Sequence, residues 1–148
     1  MIDQKEQAAI AKAYLDRNKD DRLYLQSLYR LRESFPFANI TKYENDGGAR
    51  NEPRENVTES KYLEYSEIER KIEELEKKRK IIVEETVELI SELTDDNQKS
   101  VLSARYLEML CWDDVAKKLR YSRQQVTRIH GRALLEFYKI LRKAGKDE

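Results

Sequence analysis

Apolar residues along this chain recur at alternating spacings of four and three, the period of helices packed side by side. Over residues 3–34, Ile10, Tyr14, Tyr24, Leu28, Leu31 and Phe35 follow that spacing, with Arg17 and Asp21 as polar interruptions. The pattern predicts one long helix with this stripe as its seam. A second stripe of Leu15, Leu25 and Tyr29 makes its far half apolar on more than one side. Pro36 ends it, because the residue before a proline is pushed out of helical geometry. Residues 36–57 read as a polar loop with a Gly-Gly pair, Pro53 and no periodicity. A second long helix is predicted over 58–93, where Tyr65, Ile68, Ile72, Leu75, Ile82, Leu89 and Leu93 keep the spacing and Arg79 and Thr86 occupy two seam positions. A buried guanidinium is costly without a partner, so Arg79 is expected at the seam edge with its head in solvent. Glu73–Lys77, Glu74–Lys78 and Glu76–Lys80 stand four apart and add helical support on a solvated face. Two such helices pair either as an antiparallel hairpin or across a dimer, and the sequence leaves both open.

The pattern changes after residue 93. Thr94 or Asp95 can cap a helix running to Leu110, with Val101, Leu102, Tyr106, Leu107 and Leu110 inward. A short helix, Trp112 to Leu119, turns Val115, Ala116 and Leu119 inward and carries Asp113 and Asp114 in its first turn, where carboxylates favour the helix dipole. After Arg120 and Tyr121, Ser122 and Gln125 stand at capping-box spacing. The last helix, 123–142, has a predicted buried stripe of Val126, Ile129, Ala133, Leu134, Phe137 and Leu141. The whole reads as all-α: a helical arm over 1–93 and a helix-turn-helix domain over 94–143.

Composition sharpens this. The chain is 39% apolar and 39% charged, against roughly 45–50% and about 25% in an average soluble domain, so it has much surface for its core. The net charge of zero conceals a gradient. Residues 61–93 hold 7 basic and 10 acidic side chains, and residues 94–148 hold 12 and 8. From Lys117 to Lys146 ten Lys and Arg face one acid, Glu136. Such a basic end on a neutral scaffold points to nucleic acid. One cysteine permits no internal disulfide, no run of ~18 apolar residues offers a membrane span, and the N-terminus lacks a signal-peptide pattern. A cytoplasmic protein without membrane contact is expected.

With the buried stripe subtracted, the last helix begins with Arg123, Gln124, Thr127 and Arg128 facing outward. These side chains suit base edges: arginine bonds guanine bidentately, glutamine does so to adenine, and threonine offers a hydroxyl or methyl contact. Lys117, Lys118, Arg120, Tyr121, Ser122, Arg132, Lys139 and Arg142 are placed for phosphates, which position a protein without reading sequence. The partner predicted by this chemistry is double-stranded DNA.

The segment VLSARYLEMLCWDDVAKKLRYSRQQVTRIHGRALLEF resembles the sigma-70 region 4 helix-turn-helix, and is especially similar to phage-encoded transcriptional regulators of the ArpU/RinA/LtrC type. The matching pieces are Arg105–Tyr106–Leu107–Glu108, Trp112–Asp113–Asp114–Val115–Ala116, Tyr121–Ser122 and Arg128 through Leu134. They cover about residues 97–137. The resemblance implies a transcription regulator that switches on phage late or packaging genes inside a bacterial host cell, with base contacts from Arg123, Gln124, Thr127 and Arg128. The chain departs from the family pattern at Arg120, where glycine is usual, and at Cys111, where a serine or threonine cap is usual. Arg120 in a left-handed position costs about 1 kcal/mol, and the weaker cap about 0.5–2 kcal/mol.

The remaining residues fit structural roles. His130, the only histidine, is expected to pack, and with one cysteine it supplies no zinc set. Trp112 is expected to plug the small core. No phosphate-binding loop, nucleophile–base pair or convergent carboxylate pair is visible, so no enzymatic activity, metal or cofactor is expected. The arm is expected to mediate self-association as a dimer, or contact with RNA polymerase or a phage partner. Two rival functions share these features: a terminase small subunit bound at a packaging site, and a sigma-like module that binds polymerase without DNA.

Overall fold

The computed structural model describes residues 2–17, 19–35 and 52–147, and every regular element among them is helical. In chain order these are α1 (Gln4–Asp16), α2 (Lys19–Ser34), α3 (Glu52–Ser91), α4 (Asp96–Leu102), a π-helical turn (Ser103–Leu107), α5 (Trp112–Leu119) and α6 (Arg123–Lys143). The all-α class holds, and the described helices contain no segment long and apolar enough to cross a membrane.

The chain divides into two compact units, one of residues 1–18 with 80–148 and one of residues 19–79. This differs from the division expected at residue 93. The single helix expected over 3–34 is two helices, and the first packs against α6 in the DNA-candidate unit rather than belonging to an arm. The signal for this is non-local: Ala11 and Leu15 are buried against residues more than a hundred positions away. Helix α3 starts at Glu52, inside the expected 36–57 loop, with Pro53 in its first turn, where a missing N–H costs nothing. The rest of that loop, 36–51, lies outside the described residues.

In the larger unit, one core joins Ala11 and Leu15 of α1, Leu89 and Ile90 of α3, Leu93 beyond it, Leu102 and Tyr106, and Leu134, Phe137 and Leu141 of α6. Phe137, Leu102 and Leu141 are fully buried. Thr86 occupies its seam position without a polar penalty, because its hydroxyl donates to Ile82 O at 2.8 Å. A smaller core of Val101, Ala104, Val115, Ala116 and Val126 holds α4, α5 and the start of α6 together, with Trp112, Leu119, Tyr121 and Ile129 packed around it. Asp95 caps α4 by accepting from the Asn97 and Gln98 backbone N–H groups, one of the two expected caps.

The helix expected to reach Leu110 instead widens into the π-helical turn. It closes with Met109 at φ 60° and with the Arg105 guanidinium donating to Leu110 O at 2.9 Å while lying over the Trp112 ring. One wider turn re-aims the chain into α5, a common use of π geometry.

The smaller unit is a helix pair from α2 and the first part of α3, with Leu25, Leu28 and Ile72 buried and Tyr29, Ile68 and Leu75 packed on them. Of the seam predicted for the first helix only Leu28 is buried here. Tyr24 is 48% and Leu31 47% exposed, and Leu25 from the second stripe takes the interior. Within α2 the interior is built on Leu25, Leu28 and Tyr29, a face turned from the one that the spacing marks. Of the predicted ion pairs, Glu73–Lys77 forms at 3.3 Å. Lys78 goes to Asp21 of α2 at 3.0 Å, and Glu76 accepts from the Tyr29 hydroxyl at 2.6 Å. Arg79 is half-buried, as a seam-edge position implies, yet its Nε is buried without a partner, as is Arg22 Nη1. Burial and the neighbouring Arg79 hold Arg22 below its usual pKa.

Candidate nucleic-acid interface

The turn before α6 forms as its residue types dictate. Cys111 begins α5 without a side-chain cap bond, and Arg120 ends it at φ 60°, ψ 42°, the left-handed region where glycine is favoured. The Arg120 backbone N–H closes the helix on Ala116 O and Lys117 O, so hydrogen bonding offsets part of that strain. Ser122 opens α6 with a complete capping box: its Oγ accepts from Gln125 N at 3.1 Å, and Gln125 Oε1 accepts from Ser122 N at 2.9 Å. The Tyr121 ring packs on the smaller core and its hydroxyl donates to Asn97 Oδ1 at 2.6 Å, tying the turn to the first turn of α4.

Helix α6 is 21 residues long, about 31 Å. At about 100° per residue, Gln124, Arg128, Arg132, Lys139 and Arg142 fall within about 80° of arc, all exposed, away from the buried Val126, Ala133, Phe137 and Leu141. Arg123 and Thr127 adjoin that stripe at the N-terminal end, and the four predicted base-reading residues line one shallow depression. The predicted phosphate-contacting residues are spread more widely. Lys117, Lys118 and Arg120 are exposed on α5 and its cap, while Lys139 and Arg142 lie more than ten residues along α6, beside Gln7 of α1.

Several of these side chains already hold partners. Arg123 Nη1 bonds Asp113 Oδ1 at 2.9 Å, Lys118 pairs with Glu108, Lys139 with Glu136 at 3.1 Å, and Thr127 Oγ1 donates to Arg123 O at 3.0 Å. Gln124, Arg128, Arg132, Lys117 and Arg142 make no side-chain hydrogen bond or ion pair among the described residues. The sequence reading did not foresee Asp113, Glu108 and Asn97 as partners; each meets a residue ten or more positions away, a spacing that no single-helix rule anticipates.

Behind the interface, His130 packs as expected. Its Nε2 and the Tyr106 hydroxyl share a hydrogen bond at 2.7 Å, and its ring meets the edge of Trp112 at 4.6 Å between centroids. Burial, with Lys12 and Arg105 adding charge repulsion, pulls the imidazole down to about 4, and burial pushes the Tyr106 hydroxyl up. Both are neutral near pH 7, so neither contributes charge to the face. What α6 offers is an exposed row of guanidinium and amide donors on a helix fixed at its start by a cap and along its back by a packed core.

A family model described as "Protein of unknown function (DUF1492)" matches residues 39–144, a span that takes in α3 through α6. No curated protein and no solved structure matches the chain.

Proposed function

The chain belongs to this DUF1492 family, and we propose, from the exposed face of α6, that it is a non-enzymatic, sequence-specific DNA-binding regulator of transcription. In this reading α6 lies in the major groove and reads bases through Arg123, Gln124, Thr127 and Arg128. Lys117, Lys118, Arg120, Arg132, Lys139 and Arg142 hold the phosphates, with Tyr121 and Ser122 supporting from the turn. The observation that carries the reading is the exposed, unpaired Gln124 and Arg128 at the capped start of α6, opposite a stripe that is fully packed. A helix that presents Gln124, Arg128, Arg132, Lys139 and Arg142 on one side, interrupted there by the half-buried Leu135, fits a polyanion better than it fits solvent alone. The resemblance to phage regulators of the ArpU/RinA/LtrC type supports activation of late or packaging genes as the setting. Recognition of a few base pairs by one helix favours a dimer with half-sites about one helical turn apart.

Genome-wide footprinting of the purified protein tests this. Protection upstream of structural genes is the expected result, and protection confined to a packaging start assigns the protein to terminase-like work instead. At a mapped site, Arg128→Ala should cost about 1–3 kcal/mol of binding if it pairs a base, whereas Lys117→Ala should weaken all sequences alike and flatten the salt slope by about 0.9. No retention of the protein on any duplex at low ionic strength would refute the reading.

A further inference from the structure

The bond between Arg123 and Asp113 joins the first residue of α6 to the first turn of α5. Both side chains are open to water, 61% and 70% exposed, and a pair this exposed adds little to stability. Its position is more informative than its strength. Arg123 stands at the end of the helix proposed above to enter the groove, where an unrestrained guanidinium has phosphates as well as bases in reach. A phosphate contact carries no sequence information.

Resting on that DNA-reading role, we propose that Asp113 is a positioning residue that makes Arg123 a base reader. The carboxylate holds the guanidinium by Nη1 and leaves Nε and Nη2 to present donors to the acceptor pair of a guanine. Its negative charge also keeps phosphate oxygens from the same fork. A planar guanidinium has separate edges, so one can be held while another reads. The neighbouring Glu108–Lys118 pair lacks this property. An ammonium is a point charge with no second edge, so Glu108 only masks a cation that would otherwise meet phosphate. Two acids near the turn therefore do different things: Asp113 sets which base is preferred, and Glu108 sets how strongly any duplex is held.

Selection of bound duplexes from a randomised library, read by sequencing, separates these roles. The wild-type protein should show a guanine preference at the position Arg123 reaches. Asp113→Ala should lower preference at that one position about tenfold, the discrimination of one bidentate contact, while binding to non-specific duplex stays level or rises. Asp113→Asn, whose amide oxygen still accepts from Arg123, should keep part of the preference, and it decides the matter if the alanine variant unfolds. Glu108→Gln should strengthen binding to every sequence without altering preference. An unchanged profile in both Asp113 variants, or a uniform loss across all sequences, overturns the inference and leaves the DNA-reading role standing. Failure of the wild-type protein to bind any library member removes that role and this inference with it.

Discussion

The two units of the chain are stabilised in contrasting ways. The larger one is organised around side chains wholly removed from water, Phe137, Leu102, Leu141, Val101, Val115 and Val126; its half-buried His130 has a hydrogen-bond partner, and one hydroxyl, that of Tyr14, is buried without one. The α2–α3 pair buries Leu25, Leu28 and Ile72, leaves Leu23, Tyr24, Leu31, Tyr62 and Leu63 about half exposed or more, and carries two arginine nitrogens that are buried and unpaired. Both come from heptad-like helical sequence. The difference is that α4, α5 and α6 are short or capped segments crossing one another around a shared interior, whereas two long helices lying side by side share only a strip. A reading helix needs the first kind of support, because its exposed donors are useful only if the backbone beneath them stays in place.

The largest expected effect tests the better-packed side of this contrast. Phe137→Ala should destabilise the larger unit by about 3–5 kcal/mol, seen as an earlier urea transition by near-ultraviolet circular dichroism. A loss under 1 kcal/mol would show that the core can collapse around the cavity and is less fixed than described.

Acid should come next, and act on the same unit. The His130 pKa falls from 6.5 to about 4 on folding, so the unfolded chain binds a proton that the folded one refuses. The stability this contributes is complete above pH 6.5 and is lost as pH falls towards 4. After discounting for the ring's partial exposure, the loss should be about 1–3 kcal/mol. His130→Gln should flatten the pH dependence of the urea midpoint over that range, and an unchanged slope would place the acid sensitivity elsewhere.

The smallest effect is a gain on the other side. Arg79→Met keeps an unbranched side chain and removes the buried, unpartnered Nε, so hydrogen exchange should report slower opening of α2 and the adjoining part of α3, by about 1 kcal/mol. Faster exchange would mean that the guanidinium has a partner after all, and that the smaller unit is better satisfied than its neighbours indicate.

The candidate interface was largely legible in sequence. The limits of α5, the Ser122–Gln125 box and the outward set Arg123, Gln124, Thr127 and Arg128 depend on residues within one or two turns of each other, where spacing and side-chain chemistry act directly, whereas the left-handed Arg120 and the uncapped Cys111 were implied by the family resemblance. The packed role of His130 was legible too, although its partner Tyr106 was not. The boundary between α1 and α2 was not legible, because the spacing of four and three runs on across Arg17 and Asp21, and the buried faces are those of Ala11, Leu15 and Leu25, which lie off the main stripe.

Local rules by themselves determined the helical class, the capped start of α6, and which face of α6 is polar, since caps and periodicity are settled between near neighbours. Only the tertiary structure decided that α1 closes the core behind α6, that Leu25 displaces Tyr24 and Leu31 from the interior, and that Arg123 is held by Asp113. Each of these is a choice among several chemically acceptable partners, and it is made by which surfaces exclude water together once the whole unit is assembled.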